Sequence, residues 1–318
     1  MLHGKLRQSV DFHTPLAARR GFTLIEIMVV LVIVMLLAGM ILTAIRPALE
    51  SRRMREAARA VTTMFYQAKA RAVETGRPFG VWIERAENSD PQAPSSRTLY
   101  FAESPPIYAG DSDNARALIR AGGSCELTGA NTSLIEQGDF IRFNFQDPIY
   151  EITSAGGSQL QFTSRSVPFL PKPSGDAPMS VPFQILRKPR KAIGAPVQLT
   201  GNIVVDMTKS GIGASGTEFN QQGNRRIVIM FSPSGHVDRV YFNEKSSEIP
   251  MGPIHILLGR AEKVPSSENL QDRMNLWVSI GNLSGLVTTA PIVTVEGGGG
   301  SVKDARLLAR QMLGMGGR

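Results

Sequence analysis

The hydrophobic pattern begins with an apolar run over residues 22–45 that holds a single charge, Glu26. The run is apolar on every side, so no stripe divides a core face from a water face. Its length is that of a helix able to cross the roughly 30 Å hydrocarbon core of a bilayer at about 1.5 Å of rise per residue. Beyond it the pattern changes. Met54, Ala58, Val61, Phe65, Ala68 and Ala72 recur at steps of four and three, while Arg52, Arg59, Lys69 and Arg71 take the other faces. This spacing predicts an amphipathic continuation over 47–76, stopped by Gly76 and Pro78. Pro47 removes one hydrogen bond and is expected to kink or loosen the helix.

From residue 77 onward the chain reads as short apolar-rich segments separated by polar turns. Strands are predicted over 79–84, 98–102, 139–145, 149–153, 159–162, 183–188, 202–208, 226–231, 236–242, 254–258 and 276–280. Over 139–145, Phe140, Arg142 and Asn144 alternate with Ile141, Phe143 and Phe145. Ser232-Pro233-Ser234-Gly235 reads as a type I turn joining two strands, with Pro at its second position and Gly at its fourth. The stretches 102–138 and 164–196 read as inserts or linkers, the first with a short helix at 115–121. Glycines at 297–300 form a hinge before an amphipathic helix over 302–313, marked by Ala305, Leu307, Leu308 and Met312. The expected fold class is α+β: a long N-terminal transmembrane and amphipathic α-helix packed on a β-sheet-rich head. The expected divisions are 1–21, 22–46, 47–76, 77–296 and 297–318.

Glu26 is the chemical anomaly. A carboxylate in hydrocarbon costs on the order of 3 kcal/mol on insertion scales, so it calls for a partner. The run contains no lysine or arginine to serve. If the chain is cut after Gly21, the new α-amino group on Phe22 becomes a cation about one helical turn from Glu26, able to pair with the carboxylate of a neighbouring copy.

The basic leader ending Arg19-Arg20, the hexapeptide Gly21-Phe22-Thr23-Leu24-Ile25-Glu26 and the long apolar helix resemble the class III leader of type IV pilins and type II secretion pseudopilins. The resemblance implies cleavage between Gly21 and Phe22 by a prepilin peptidase, N-methylation of Phe22, and a role for Glu26 in assembly. It also implies partnership with other pseudopilins or pilins and with an inner-membrane assembly platform. The segment Phe231-Ser-Pro-Ser-Gly235 and the ending from Ala72 to Pro78 are similar to those of GspH-type minor pseudopilins. The chain is therefore expected to be a filament subunit, with no enzymatic activity and no cofactor. Lys5, Arg7, Arg19 and Arg20 before the run are matched by Arg46, Arg52, Arg53 and Arg55 after it, so charge alone leaves orientation open. The resemblance places the N-terminus in the bacterial cytoplasm and the head in the periplasm.

Two other readings stay open. A minor pilin binding DNA or a surface ligand needs a basic patch with interleaved aromatics, and the run Arg187, Lys188, Arg190, Lys191 has few around it, so nucleic acid is not expected. A plain membrane-anchored β-rich protein explains the apolar run but gives Glu26 no purpose. A secretory signal has a shorter apolar region and an A-x-A-like site, which this run lacks. The leader's four basic residues and Asp11 carry +3 of the net +8, leaving +5 after cleavage. His236 and His255 would be the only mature histidines, so a histidine-based metal or catalytic cluster is not expected, and Cys125 reads as a bland thiol. Gly211-Ile212-Gly213-Ala214-Ser215-Gly216 matches G-x-G-x-x-G but precedes no helix, so it reads as a loop. Asp111, Asp113 and Asn114 lack the glycine and glutamate of a calcium loop, and no metal is expected there.

Overall fold

The computed structural model describes residues 22–86, 94–120, 123–163, 178–221, 226–242, 246–264, 266–293 and 301–314, without the side chains of 40–46, 246 and 312–314. The architecture is α+β: an N-terminal helix, α1 (Leu24–Thr75), followed by a β-rich region. The chain divides into two units, Met1–Leu49 and Glu50–Arg318. Helix α1 remains helical through Pro47 and ends at Thr75, where Gly76 adopts φ +64°. Glycine takes that left-handed conformation without the Cβ penalty, which makes it a natural stop.

In the second unit the first strands are β1 (Phe79–Glu84), β2 (Ser95–Ser96), β3 (Thr98–Glu103), β4 (Arg116–Arg120), β5 (Ser124–Thr128), β6 (Phe140–Phe143), β7 (Gln146–Gly156), β8 (Gln159–Thr163), β9 (Met179–Val181) and β10 (Phe183–Leu186). There follow β11 (Arg190–Lys191), β12 (Val197–Gln198), β13 (Ile203–Ile212), β14 (Arg226–Phe231), β15 (Val237–Phe242), β16 (Ser246–Glu248), β17 (Ile254–Arg260), β18 (Leu276–Ile280), β19 (Val287–Pro291) and the C-terminal helix α2 (Val302–Gly314). They form three antiparallel sheets.

The first sheet runs β11-β3-β1-β14-β15-β16, with β12 also on β3; the second runs β19-β18-β17-β13-β2. One face of α1, Met54, Ala57, Ala58, Val61, Met64, Phe65, Ala68 and Ala72, is buried against both, reaching Val81, Ile229 and Phe231 of the first and Val205, Ile256 and Val278 of the second. The three- and four-residue spacing thus marks the seam of the main core. Small alanines let the helix approach the strands, and Phe65 meets Phe231 edge-on at 6.3 Å. The 232–235 turn closes with Gly235 N–H donating to the Ser232 carbonyl at 2.9 Å.

The third sheet has the order β10-β6-β7-β8-β5-β4-β9. Its end strands β9 and β10 are consecutive in the chain, separated only by Pro182, so the sheet closes on itself as a small barrel. Proline has no N–H to give a ladder, which suits this corner. Alternate residues, among them Ile119, Cys125, Ile141, Phe143, Tyr150, Phe162 and Phe183, fill the interior. Phe143, Tyr150 and Phe162 stack mutually with centroids 5.2 to 5.6 Å apart. The barrel leaves the first sheet after β3 and returns at β11, which pairs back onto β3. It is an elaboration of one sheet edge with its own core.

Three expectations need correction. The helix expected over 115–121 is a strand over 116–120: β4 pairs with β5 and β9, and its buried Ala117 and Ile119 lie between exposed Arg116 and Arg120. Strong helix formers yield here to the packing of a half-buried strand. The strand expected over 139–145 stops at Phe143, because Asn144 and Phe145 take φ of 56° and 59° and form a two-residue turn into β7. The stretches 102–138 and 164–196 are not linkers throughout, since β4, β5, β9 and β10 belong to the barrel; residues 164–177 lie outside the described residues.

Helix α2 covers the back of the second sheet. Its buried residues are Ala305, Arg306 and Ala309, with the alanines against Leu257, Trp277, Ala290 and Ile292; Leu307, expected on the apolar face, is exposed. Arg306 donates from Nη1 to the Gly213 and Gly216 carbonyls, both at 3.0 Å, and from Nη2 to the Lys209 carbonyl at 2.6 Å. The glycine-rich loop is therefore a clasp for an arginine. A Cβ at Gly211 would overlap the Gly216 carbonyl, and one at Gly216 would overlap Glu218 and the Ile212 carbonyl. Replacing Arg306 with Leu removes three hydrogen bonds to half-buried carbonyls, so Arg306→Leu is expected to destabilise the second unit by about 3 kcal/mol. The midpoint of urea unfolding measures it, with exposed Lys303→Ala expected to be neutral.

Candidate functional site at the N-terminal helix

The sequence concentrates its candidate residues at the start of α1. Gly21 lies outside the described residues. Phe22 and Glu26 are exposed. Thr23 stands immediately before the helix, and its Oγ1 accepts a hydrogen bond from the Glu26 backbone N–H at 3.3 Å. Thr23 is thus the N-cap and Glu26 the third helical residue, which is the spacing of a capping box. The Thr23 cap escaped the sequence reading, although Thr-x-x-Glu before an apolar run was its signal. This capping gives Glu26 a local role: its carboxylate sits in the first turn, at the positive end of the helix dipole.

The described apolar side chains that follow are not covered by the other described residues of the first unit. From Phe22 to Leu37, its large hydrophobic residues are between 48 % and 78 % exposed, on every side of the helix. A helix apolar all round is stable when something apolar surrounds it. Among the described residues no helix is long and apolar enough to cross a membrane. The described side chains of this run stop at Gly39, short of the 22–46 span that the sequence predicts.

Residues 16–42 match the family model described as the prokaryotic N-terminal methylation motif. The chain carries a prepilin-type N-terminus. The matched segment spans the basic pair, Gly21, Phe22, the Thr23 cap and Glu26, and it supports placement among type IV pilins and pseudopilins. Such a motif implies processing by a prepilin peptidase and assembly with other pilins. Comparison with curated proteins and with solved structures found no match to either.

Other titratable and nucleophilic groups sit elsewhere in the second unit. Cys125 points into the barrel, and burial pushes its thiol up to about 12, which keeps it a thiol rather than a thiolate. Ser232 and Ser234 both lie within 2.9 Å of His236 Nδ1 in the β14–β15 turn, and Ser279 Oγ lies 2.8 Å from His255 Nδ1. The first group closes a turn. The second is buried between the second sheet and α2, shut off from any substrate. Asp206 accepts from Thr208 and Asn269 in a buried network that pins the β13 bulge, and burial holds its pKa above the ordinary carboxylate value. The basic run is largely neutralised: Lys188 and Arg190 face Glu136, and Lys191 meets Glu84 at 2.8 Å and lies over the Tyr100 ring. Asp111, Asp113 and Asn114 lie exposed in the turn before β4.

His255 gives the second unit a pH dependence. Burial, with Arg306 and Arg310 nearby, lowers its pKa to about 4, so the folded state favours the neutral ring. Its contribution is present above the unfolded value near 6.5 and is lost as pH falls through about 4, on the order of 3 kcal/mol in all. Raised Asp206 has the opposite sign, since stability from a neutralised carboxyl is lost as pH rises. Unfolding midpoints at neutral and mildly acidic pH are expected to fall with acidification in the native chain, and to fall less in His255→Asn.

Proposed function

We propose that this chain is a minor pseudopilin, a structural subunit of a type II secretion or type IV pilus-like filament. The observation that carries the reading is the methylation motif at 16–42, with a capped helix whose described apolar side chains are exposed on every side. Cleavage after Gly21 creates an α-amino group on Phe22, which is then methylated. In the bilayer the span over 22–46 holds the subunit with its N-terminus cytoplasmic and its β-rich part periplasmic. Glu26 pairs with the amino terminus of a neighbouring subunit as both leave the lipid, an exchange in which hydrocarbon burial makes the ion pair worth forming.

The second unit supports a minor rather than a major subunit: a barrel with its own core is added to a sheet edge, which gives each copy bulk that would crowd a repeating filament surface. Its Phe231–Gly235 hairpin and the α1 ending at Gly76 and Pro78 favour the GspH-type branch. No enzymatic role is proposed; the protein works by being cut, methylated and assembled.

The test is the intact mass and N-terminal residue of the membrane-extracted protein, with Gly21→Ala and Glu26→Ala alongside. The expected mature form begins at N-methylated Phe22, disappears in Gly21→Ala, and persists in Glu26→Ala with filament cross-linking lost. An uncut N-terminus in the native chain contradicts the reading and leaves a plain anchored protein.

A further inference from the structure

A groove of about 620 Å³ opens where the end of α1, the β14–β15 turn and the outer wall of the barrel meet. Its volume lies within the roughly 300–1,000 Å³ typical of ligand sites. Arg77, Arg142, Arg187 and Arg239 line it against a single acid, Asp238. Arg142 is paired with Asp147 at 2.9 Å, and Arg187 donates to the Pro106 carbonyl at 3.3 Å, so each guanidinium has one anchoring contact. Arg77 is exposed. Between the arginines the walls are apolar, formed by Ile107, Ile149, Leu186 and Pro233.

We infer that this groove docks an extended polypeptide segment of a partner protein that carries carboxylates alternating with aliphatic side chains. Planar guanidiniums suit carboxylates in a bidentate fork, and arginine is enriched where proteins meet. The excess of positive charge selects an acidic occupant, and the apolar walls select one with aliphatic side chains. Single-stranded nucleic acid is the weaker fit because it needs open aromatic faces. The two aromatics here are not open: Phe140 is buried with the Arg239 guanidinium 4.5 Å over its ring, and Tyr241 is half-buried.

An apolar surface continues beyond the turn. Gly285 abuts Gly235, Lys69 donates to the Ser284 carbonyl, and Asn282 donates to the Pro250 carbonyl at 3.0 Å, which gathers the 249–251 and 282–286 loops beside the hairpin tip. Met251 and Leu283 there are 98 % and 85 % exposed. Exposed apolar patches of this kind mark interaction sites. The inference stands apart from the N-terminal reading, since it uses only residues of the second unit.

The test is fluorescence anisotropy on the detergent-solubilised full chain with a short labelled peptide alternating glutamate and leucine. The lysine–leucine counterpart and labelled oligothymidine serve as competing probes. The acidic peptide is expected to bind, to weaken with added salt, and to lose about tenfold in affinity in Arg77→Glu and more in Arg77→Glu/Arg187→Glu. Lys303→Glu on α2 is expected to bind as the native chain does. Arg77 is exposed, so its variant folds even if the double variant does not, and unchanged melting certifies each. No binding of the acidic peptide, equal binding of the lysine peptide, tighter binding of oligothymidine, or full affinity in folded Arg77→Glu overturns the inference.

Discussion

The second unit depends on the burial of one helical face. Met54, Val61, Phe65, Ala68 and Ala72 give two sheets a common surface to close on, within a buried apolar cluster that takes in strands of both. Removing Phe65 would open a cavity that costs about 3–5 kcal/mol in well-packed cores. The barrel is less dependent on this face, because its seven strand segments enclose their own aromatic core. Helix α2 closes the far side of the second sheet through two alanines and a buried guanidinium that also holds the glycine-rich loop. A nucleotide-like motif is thereby accounted for as packing.

The same helix, α1, carries the opposite situation at its start. Side chains that are apolar on every side and exposed on every side have a large unmet demand for apolar surroundings. The Thr23 cap satisfies a backbone donor at the first turn and leaves Glu26 at the favourable end of the dipole, so a single acid is tolerated where the rest is hydrocarbon-like. In the proposed function this is the working part. A subunit must be soluble in lipid before assembly and adhesive to its neighbours afterwards, and an all-apolar helix with one acid near a new amino terminus can do both.

Much of this was legible because it rests on periodicity. The 3.6-residue spacing of the α1 face, the short apolar runs of β1, β14 and β17, and the Ser-Pro-Ser-Gly turn are local signals that the packing reinforced. The barrel was legible only in part: β6, β7, β8 and β10 overlap expected strands, but β4, β5, β9 and the closure do not. Its β4 is five residues of good helix formers, its β9 is three residues long, and its closure across Pro182 is a long-range pairing with no local signature. Arg306 carried no signal in the sequence, because charge predicts exposure on average; only the convergence of three carbonyls from the β13 loop buries it. At the N-terminus the residue types, order and spacing carried the motif. The cap was also present in the letters, but its signal was overshadowed by the lone acid of the apolar run.

The central claim is that the start of α1 finds its apolar surroundings outside its own chain. The most direct measurement places a photo-activatable benzophenone side chain at Val30, irradiates intact membranes and identifies what is captured. The account predicts adducts with lipid and with the N-terminal helix of another motif-bearing subunit. Adducts confined to the second unit of the same chain would contradict it, because the helix would then be an ordinary core element.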